Sequence, residues 1–160
     1  MKIVGIDPGL KATGFSFIEQ NGNDVQLLEI GTIKPKAQAT IAIKLQEIYQ
    51  TLSQLINVHS PEVLVLEKIY SHVKHPTTIG VLGHVRGVVC LLCAQKDLVL
   101  MEYSVKRVRK AITGNGNATK AQTQKIVANL FRIDGSTLSL DASDSLALAL
   151  GYVYMNKRIL

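Results

Sequence analysis

Two short apolar runs in this chain each end on a carboxylate: KIVGID at Asp7 and EVLVLE at Glu67. Runs this short and this rich in Ile, Val and Leu read as strands covered on both faces. A chain with two such strands must build a sheet with helices packed on it, an α/β architecture. Ligand sites in open α/β sheets lie beyond the carboxyl ends of the strands, where both acids stand. A third segment, LSLDASDSLALALGY, adds Asp141 and Asp144. Acids gathered in a low-dielectric place are costly to leave unpaired, and they repel one another unless a cation sits among them. Mg²⁺ is the oxygen-seeking ion that suits such a set, held by a few carboxylates together with substrate phosphates.

The phosphates can belong to a nucleic acid, because the chain is basic, with a formal net charge of +6. The clustering of that charge says more than the total. Lys106, Arg107, Arg109 and Lys110 form one patch, and Lys120 and Lys125 follow a Gly-rich loop. At 160 residues, 47% of them apolar, the chain is expected to be one domain, 1–160, with a substantial core. No apolar run is long and charge-free enough to span a bilayer, since VLGHVRGVVCLLCA is broken by His84 and Arg86. The chain enters a strand at once, so no signal peptide is expected and a cytoplasmic location is. Cys90 and Cys93 form a C-x-x-C, but no second Cys or His pair follows at zinc spacing. On a helix the two thiols share a face and read as core residues.

Along the chain, residues 2–7 are predicted as a central strand, closed by a turn at Pro8-Gly9. Residues 14–19 and 25–33 read as two further strands, joined at Asn21-Gly22-Asn23-Asp24, a strong hairpin signal. Apolar residues near a helical period predict a helix over 40–57, and Pro61 restarts the chain into a strand at 62–67. Residues 76–95 form a long, mostly apolar helix that carries Gly80, Gly83 and Gly87. Each glycine inside a helix costs about 1 kcal/mol relative to alanine. Their spacing lines one face, which lets another backbone approach closely: a second subunit, or the helix's own sheet. A short strand at 98–102, a helix at 104–111, a helix capped by Asn117 or Thr119 and running to about Phe131, and a final helix over 141–157 complete the reading.

Each acid also has a plain structural explanation. Asp7 before Pro-Gly is well explained as a turn-initiating residue. Glu67 after a buried strand demands a partner, and Lys68 offers one. Glu102 ends LVLME in the same way and competes with Glu67, but only a basic, exposed-looking segment follows it. Asp141 and Asp144 share one helix face, and an Asp at the N-cap with an acid three residues on mimics a capping box. The functional case rests on conjunction, since four acids from three separate segments meet only if the sheet brings them together. Such a set suits two-metal phosphoryl transfer, with ions about 3.5–4 Å apart. Tyr70, three residues after Glu67, reads either as a half-buried aromatic or as a platform for a nucleobase. Lys120 near a helix start is placed to meet a phosphate. The loop GNGN lacks the Gly-Lys-Ser/Thr of a P-loop.

Four blocks, GIDPGLKATGF, LVLEKIYSHVKHPTTIGVLGHVRGVV, GNGNATKAQTQ and LDASDSLALAL, resemble in order the RuvC family of bacterial Holliday-junction resolvases. The resemblance implies a ribonuclease-H-like fold with a five-stranded mixed sheet, antiparallel meander plus parallel strands, flanked by helices. It implies a homodimer that nicks a four-way DNA junction symmetrically in recombination and repair. The cofactor would be Mg²⁺, two ions per site, with Mn²⁺ able to substitute, and the products a 5′-phosphate and a 3′-hydroxyl. The family's catalytic, metal-holding acids fall on Asp7, Glu67, Asp141 and Asp144, and its stacking aromatic, usually Phe, on Tyr70. Its two basic DNA-contacting residues fall on Lys120 and on Arg109, where the family usually has Lys, with Lys110 adjacent. The glycine-bearing helix resembles the family's dimer helix. RuvA and RuvB, the branch-migration motor, are the implied partners. Two rivals remain at this point: a non-catalytic junction-binding protein, and a relative of the ATPases and sugar kinases whose phosphate loop also follows a strand ending in Asp. The latter enzymes need two similar lobes, and 160 residues hold one.

Overall fold

The computed structural model describes residues 1–68 and 76–156. Its strands are β1 (Lys2–Asp7), β2 (Thr13–Asn21), β3 (Asp24–Ile33), β4 (Val63–Glu67) and β5 (Val99–Tyr103). Its helices are α1 (Ile41–His59), α2 (Pro76–Gln95), α3 (Val105–Thr113), α4 (Lys120–Phe131) and α5 (Leu140–Asn156). The strands form one sheet in the order β3-β2-β1-β4-β5. β1, β2 and β3 pair antiparallel, whereas β4 lies parallel to both β1 and β5. This is the mixed sheet expected from the sequence. The first hairpin closes between Asn21 and Asp24, with Gly22 supplying a positive φ of 60° that other residues rarely adopt.

The period of two along each strand sorts side chains between the faces of the sheet. Ile3 of β1 and Val63 and Val65 of β4 pack with Leu146 and Leu150 of α5, Val108 of α3 and Val127 of α4. Val4 and Ile6, with Leu64 and Leu66, pack on the other face against Ile48 and Leu52 of α1 and Val85 and Val89 of α2. By the same alternation Asp7 and Glu67 belong to the face that α5 covers. β5 is in phase: Tyr103 joins the α5 cluster, and Glu102 stands opposite Leu66 in the ladder. Glu102 therefore belongs to the α2 face, where its carboxylate pairs with Arg86. Of the two strand-end glutamates, parity sends only Glu67 toward α5.

Two glycines let α5 lie directly on the sheet. A Cβ at Gly5 would stand 2.0 Å from the Ser145 carbonyl oxygen, and one at Gly14 2.0 Å from that of Asp141. Gly14 is the ladder partner of Asp7, so the first turn of α5 comes down beside the end of β1. The glycines of α2 behave differently. Among the described residues, a Cβ at Gly80, Gly83 or Gly87 meets nothing within 4 Å. The glycines therefore do not seat this helix on its own sheet, one of the two expected readings; α2 packs there through Val85 and Val89 instead.

Helix α4 takes one of its two expected caps, and the start of α5 departs from expectation. Thr119, not Asn117, caps α4: its hydroxyl accepts from the Gln122 N–H, and the Gln122 side chain accepts from the Thr119 N–H at 2.8 Å. The start of α5 is held by Ser139, whose Oγ accepts from the Ala142 N–H at 3.2 Å and whose carbonyl accepts from the Ser143 N–H. Asp141 is thus not the cap, since a serine two residues earlier satisfies the orphan donors. Ser139 is also tied to Thr32 of β3, hydroxyl to hydroxyl at 2.6 Å.

Candidate active site

Asp7, Glu67 and Asp144 line one cavity of about 170 Å³, together with Arg109 and Lys120. Each arrives from a different element. Asp7 and Glu67 end adjacent parallel strands, Asp144 sits one turn into α5, Arg109 is on α3, and Lys120 opens α4. Asp141 does not line the cavity. It lies one turn before Asp144, close enough for its charge to act on both Asp7 and Asp144. Lys110, the neighbour of Arg109, is exposed and outside the cavity. Tyr70 lies outside the described residues.

The electrostatics are those of a crowded anionic site. Burial lifts the Asp7 carboxyl to about 7, reinforced by Asp144, Asp141 and Glu67 and only partly opposed by Lys120. Burial also raises Glu67, with Asp144 adding to it, while Arg109, Lys120 and Arg86 pull it down. Asp144 is raised by burial as well, against the hydrogen bond and charge of Lys120. The Lys120 ammonium is paired to Asp144. Lys120 and Arg109 thus serve a group of at least three carboxylates whose pKa values stay raised, a penalty that further positive charge would relieve.

Sequence reasoning missed three contributors. Thr123, buried at 6% exposure, lines the cavity from α4. Gly5 and Gly14 allow the helix carrying Asp141 and Asp144 to reach the strand ends. A signal for both glycines exists, since a glycine within a strand marks a bulge or a close backbone approach. What approaches is not written in the strand itself.

Comparison with known proteins places the chain. The family model "Crossover junction endodeoxyribonuclease RuvC" matches residues 3–152. The RuvC of Rhodopirellula baltica is 37% identical, over 98% of this chain and 89% of that protein. The RuvC of Caldicellulosiruptor saccharolyticus is 32% identical, over 100% and 96%. Among solved structures, T. thermophilus RuvC in complex with Holliday junction substrate superposes with a TM-score of 0.89, covering 97% of this chain and 94% of that one at 20% identity. The yeast mitochondrial Holliday junction resolvase does so with a TM-score of 0.70, covering 95% and 77% at 17% identity. These likenesses show a shared fold, and the sequence matches go further: the chain belongs to the RuvC family of crossover junction endodeoxyribonucleases.

Proposed function

We propose that the cavity at the ends of β1 and β4 hydrolyses phosphodiesters in four-way junction DNA. The observation that carries this reading is the convergence of Asp7, Glu67 and Asp144 with Arg109 and Lys120 in one cavity. Among the described residues no three His, Cys, Asp or Glu side chains lie gathered tightly enough to hold a metal ion as they stand. The donor set nevertheless fits a divalent cation. It is made of hard carboxylate oxygens, and Asp7 is driven to about 7 by burial and like charge, a cost that a bound cation removes. Asp7, Glu67, Asp144 and Asp141 are the residues that would hold Mg²⁺ or Mn²⁺. Bound there, such ions would activate water at neutral pH and stabilise charge on the leaving oxygen.

The chain's own cations have separate tasks. Lys120 stands at the first turn of α4, where free N–H groups also favour a phosphate. Paired to Asp144 without DNA, it is free to turn to a phosphate oxygen once other positive charge occupies the acids. Arg109 faces the same cavity from α3 and offers a planar fork suited to phosphate. Lys110, pointing outward, contributes to the surface patch with Lys106 and Arg107. Tyr70, just past Glu67 in sequence, is read as the residue that stacks on a base.

Paired cuts in one junction call for two sites related by a two-fold axis. The open glycine face of α2, with exposed Val81 and Leu91 beside it, supports a homodimer paired through this helix. We read the chain as a single nuclease domain acting in the cytoplasm, with RuvA and RuvB as motor partners. Among the described residues no helix is long and apolar enough to cross a membrane. Incubation with a synthetic four-way junction and Mg²⁺, resolved on a denaturing gel, tests the function directly. Two symmetric nicks are expected, and intact strands after prolonged incubation with Mg²⁺ or Mn²⁺ would refute it.

A further inference from the structure

Arg86 lies on α2, on the side of the sheet away from the acids of α5. Its side chain is only 15% exposed. One guanidinium nitrogen, Nη1, donates to the backbone carbonyl of Glu67 at 2.6 Å. The other, Nη2, pairs with Oε1 of Glu102 on β5. A largely buried guanidinium is expensive, and apolar residues of similar size fill such space at least as well. Packing therefore gives no reason for an arginine here. Its planar fork does, because it makes two directed bonds at once, which lysine cannot reproduce.

The acceptor on Glu67 is informative. Glu67 is the last residue of β4, and its final rung is the Lys68 N–H donating to the Tyr103 carbonyl at 2.9 Å. The described pairing of β4 with β5 ends at Glu67 and Tyr103. Arg86 supplies a donor at the point where the ladder stops, on the residue whose carboxylate faces the cavity. Glu102 holds the guanidinium from the neighbouring strand, so the donor is itself fixed in place.

We propose that Arg86 is a positioning residue for cleavage: anchored by Glu102, its guanidinium fixes the backbone of Glu67 and so aims the Glu67 carboxylate into the cavity. The inference rests on Glu67 acting in the reaction. It also ties the helix with the open glycine face to one of the acids, through a single side chain. It explains why a second strand-end glutamate exists without joining the site.

The test uses the full chain, with Arg86→Gln, Arg86→Lys, Glu102→Gln and Glu67→Gln measured side by side. Four readings are taken: thermal melting, sedimentation, junction binding without metal, and single-turnover cleavage of a bound junction in Mg²⁺. Arg86→Gln should keep the fold, the assembly state and the binding affinity of wild type. Its cleavage step should slow about 100-fold, the scale of a catalytic group misplaced by about 1 Å. Arg86→Lys should recover part of the rate, since it can serve one acceptor. Glu102→Gln should slow the step by about tenfold, because the bond to the Glu67 carbonyl persists without its anchor. A folded Arg86→Gln that cleaves at the wild-type rate overturns the proposal. So does a rate that falls only in step with binding or with folded fraction, which would make Arg86 a brace for the fold. If Arg86→Gln does not fold, Glu102→Gln decides, its half-exposed side chain being tolerant of the change, and wild-type cleavage by that variant overturns the proposal. Glu67→Gln separates the two levels. If it cleaves normally, the assignment of the site has failed and the proposal falls with it. If it is inactive while folded Arg86→Gln is not, only the role of Arg86 is lost.

Discussion

The two faces of this sheet carry two glycine-marked contacts, and they are opposites. On one face Gly5 and Gly14 are filled to the limit: an added methyl group would collide with the backbone of α5. On the other, Gly80, Gly83 and Gly87 line a helix whose glycine surface meets nothing within 4 Å among the described residues. In a strand interior glycine weakens pairing, and in a helix it costs about 1 kcal/mol relative to alanine. The first set recovers that cost inside the chain, because close seating of α5 brings Asp141 and Asp144 to the end of β1. Among the described residues the second set has no such return. A second copy is the partner we propose to offset it. Glycine thus seats the site's helix on one face and, in the proposed dimer, admits a partner on the other.

The largest effect should come from filling the closed contact. Gly5→Val would place its branch where the Ser145 carbonyl and the Ala149 backbone already stand. Overpacking a core costs about 1–3 kcal/mol where side chains can give way, and more where they cannot. Here the obstacle is helix backbone. We expect an unfolded protein, or a fold whose melting temperature drops by roughly 10 °C or more, read by circular dichroism. A Gly5→Val protein with wild-type stability would show that α5 can lift off the sheet cheaply, and the contrast between the faces would collapse.

Asp7→Asn probes what the closed contact achieves. Cleavage should fall more than about 100-fold, since even residues one shell behind a metal ligand are worth 10- to 100-fold, while metal-free junction binding stays. The variant should also change the pH dependence of stability. The Asp7 carboxyl, near 3.8 when unperturbed, is held at about 7 in the folded chain by burial and by its acidic neighbours. Between those values the folded state keeps a proton that the unfolded state has released. Stability without metal therefore falls as pH rises from about 4 to about 7, and the penalty is complete above that. Asp7→Asn should flatten this slope and melt higher than wild type at pH 8 in a chelator. An identical pH profile in the two proteins would show that Asp7 is not under the strain its surroundings imply.

How much of this was readable beforehand follows from the distances over which each feature is encoded. The sheet was legible because burial and period are written residue by residue in β1 and β4. Of the four acids expected to meet, Asp7, Glu67 and Asp144 line one cavity, whereas Asp141 stands one turn away from it. Glu102 ranked below Glu67 only by the basic segment that follows it, because alternation fixes phase within a strand but not between strands. Only the pairing of Glu102 with Leu66 assigns it to the α2 face. Ser139 was overlooked as the cap of α5 because Asp141 satisfies the same pattern two residues later. The strand glycines Gly5 and Gly14 signal a close approach without saying what approaches, and the bond from Arg86 to a carbonyl leaves no mark in the sequence. They depend on which element crosses which, and that is a property of the assembled fold.

The open face is tested by bulk that should be harmless to one chain. Gly83→Leu adds a side chain where none of the described residues stands within 4 Å, so the subunit should fold and melt normally. Sedimentation should show a monomer where wild type is a dimer, with cleavage of junctions lost as paired nicks. A monomeric wild type would refute the homodimer. A Gly83→Leu chain that remains dimeric would move the interface elsewhere on the surface.

Gly87→Ala should give the smallest effect and cut most finely between the two faces. The change adds one methyl group in an interior turn of α2, again into open space. In a single chain it should stabilise the helix by about 1 kcal/mol, a rise of roughly 2–4 °C for a protein of this size. In a dimer that uses the glycine for close approach, the same methyl pushes the helices apart and weakens association. The two effects separate by dilution, because only the second depends on concentration. At low concentration, where subunits are apart, Gly87→Ala should melt above wild type; at high concentration the gain should shrink or reverse. A constant gain at every concentration would mean that Gly87 never meets a partner, and that the glycine face of α2 has some use other than pairing.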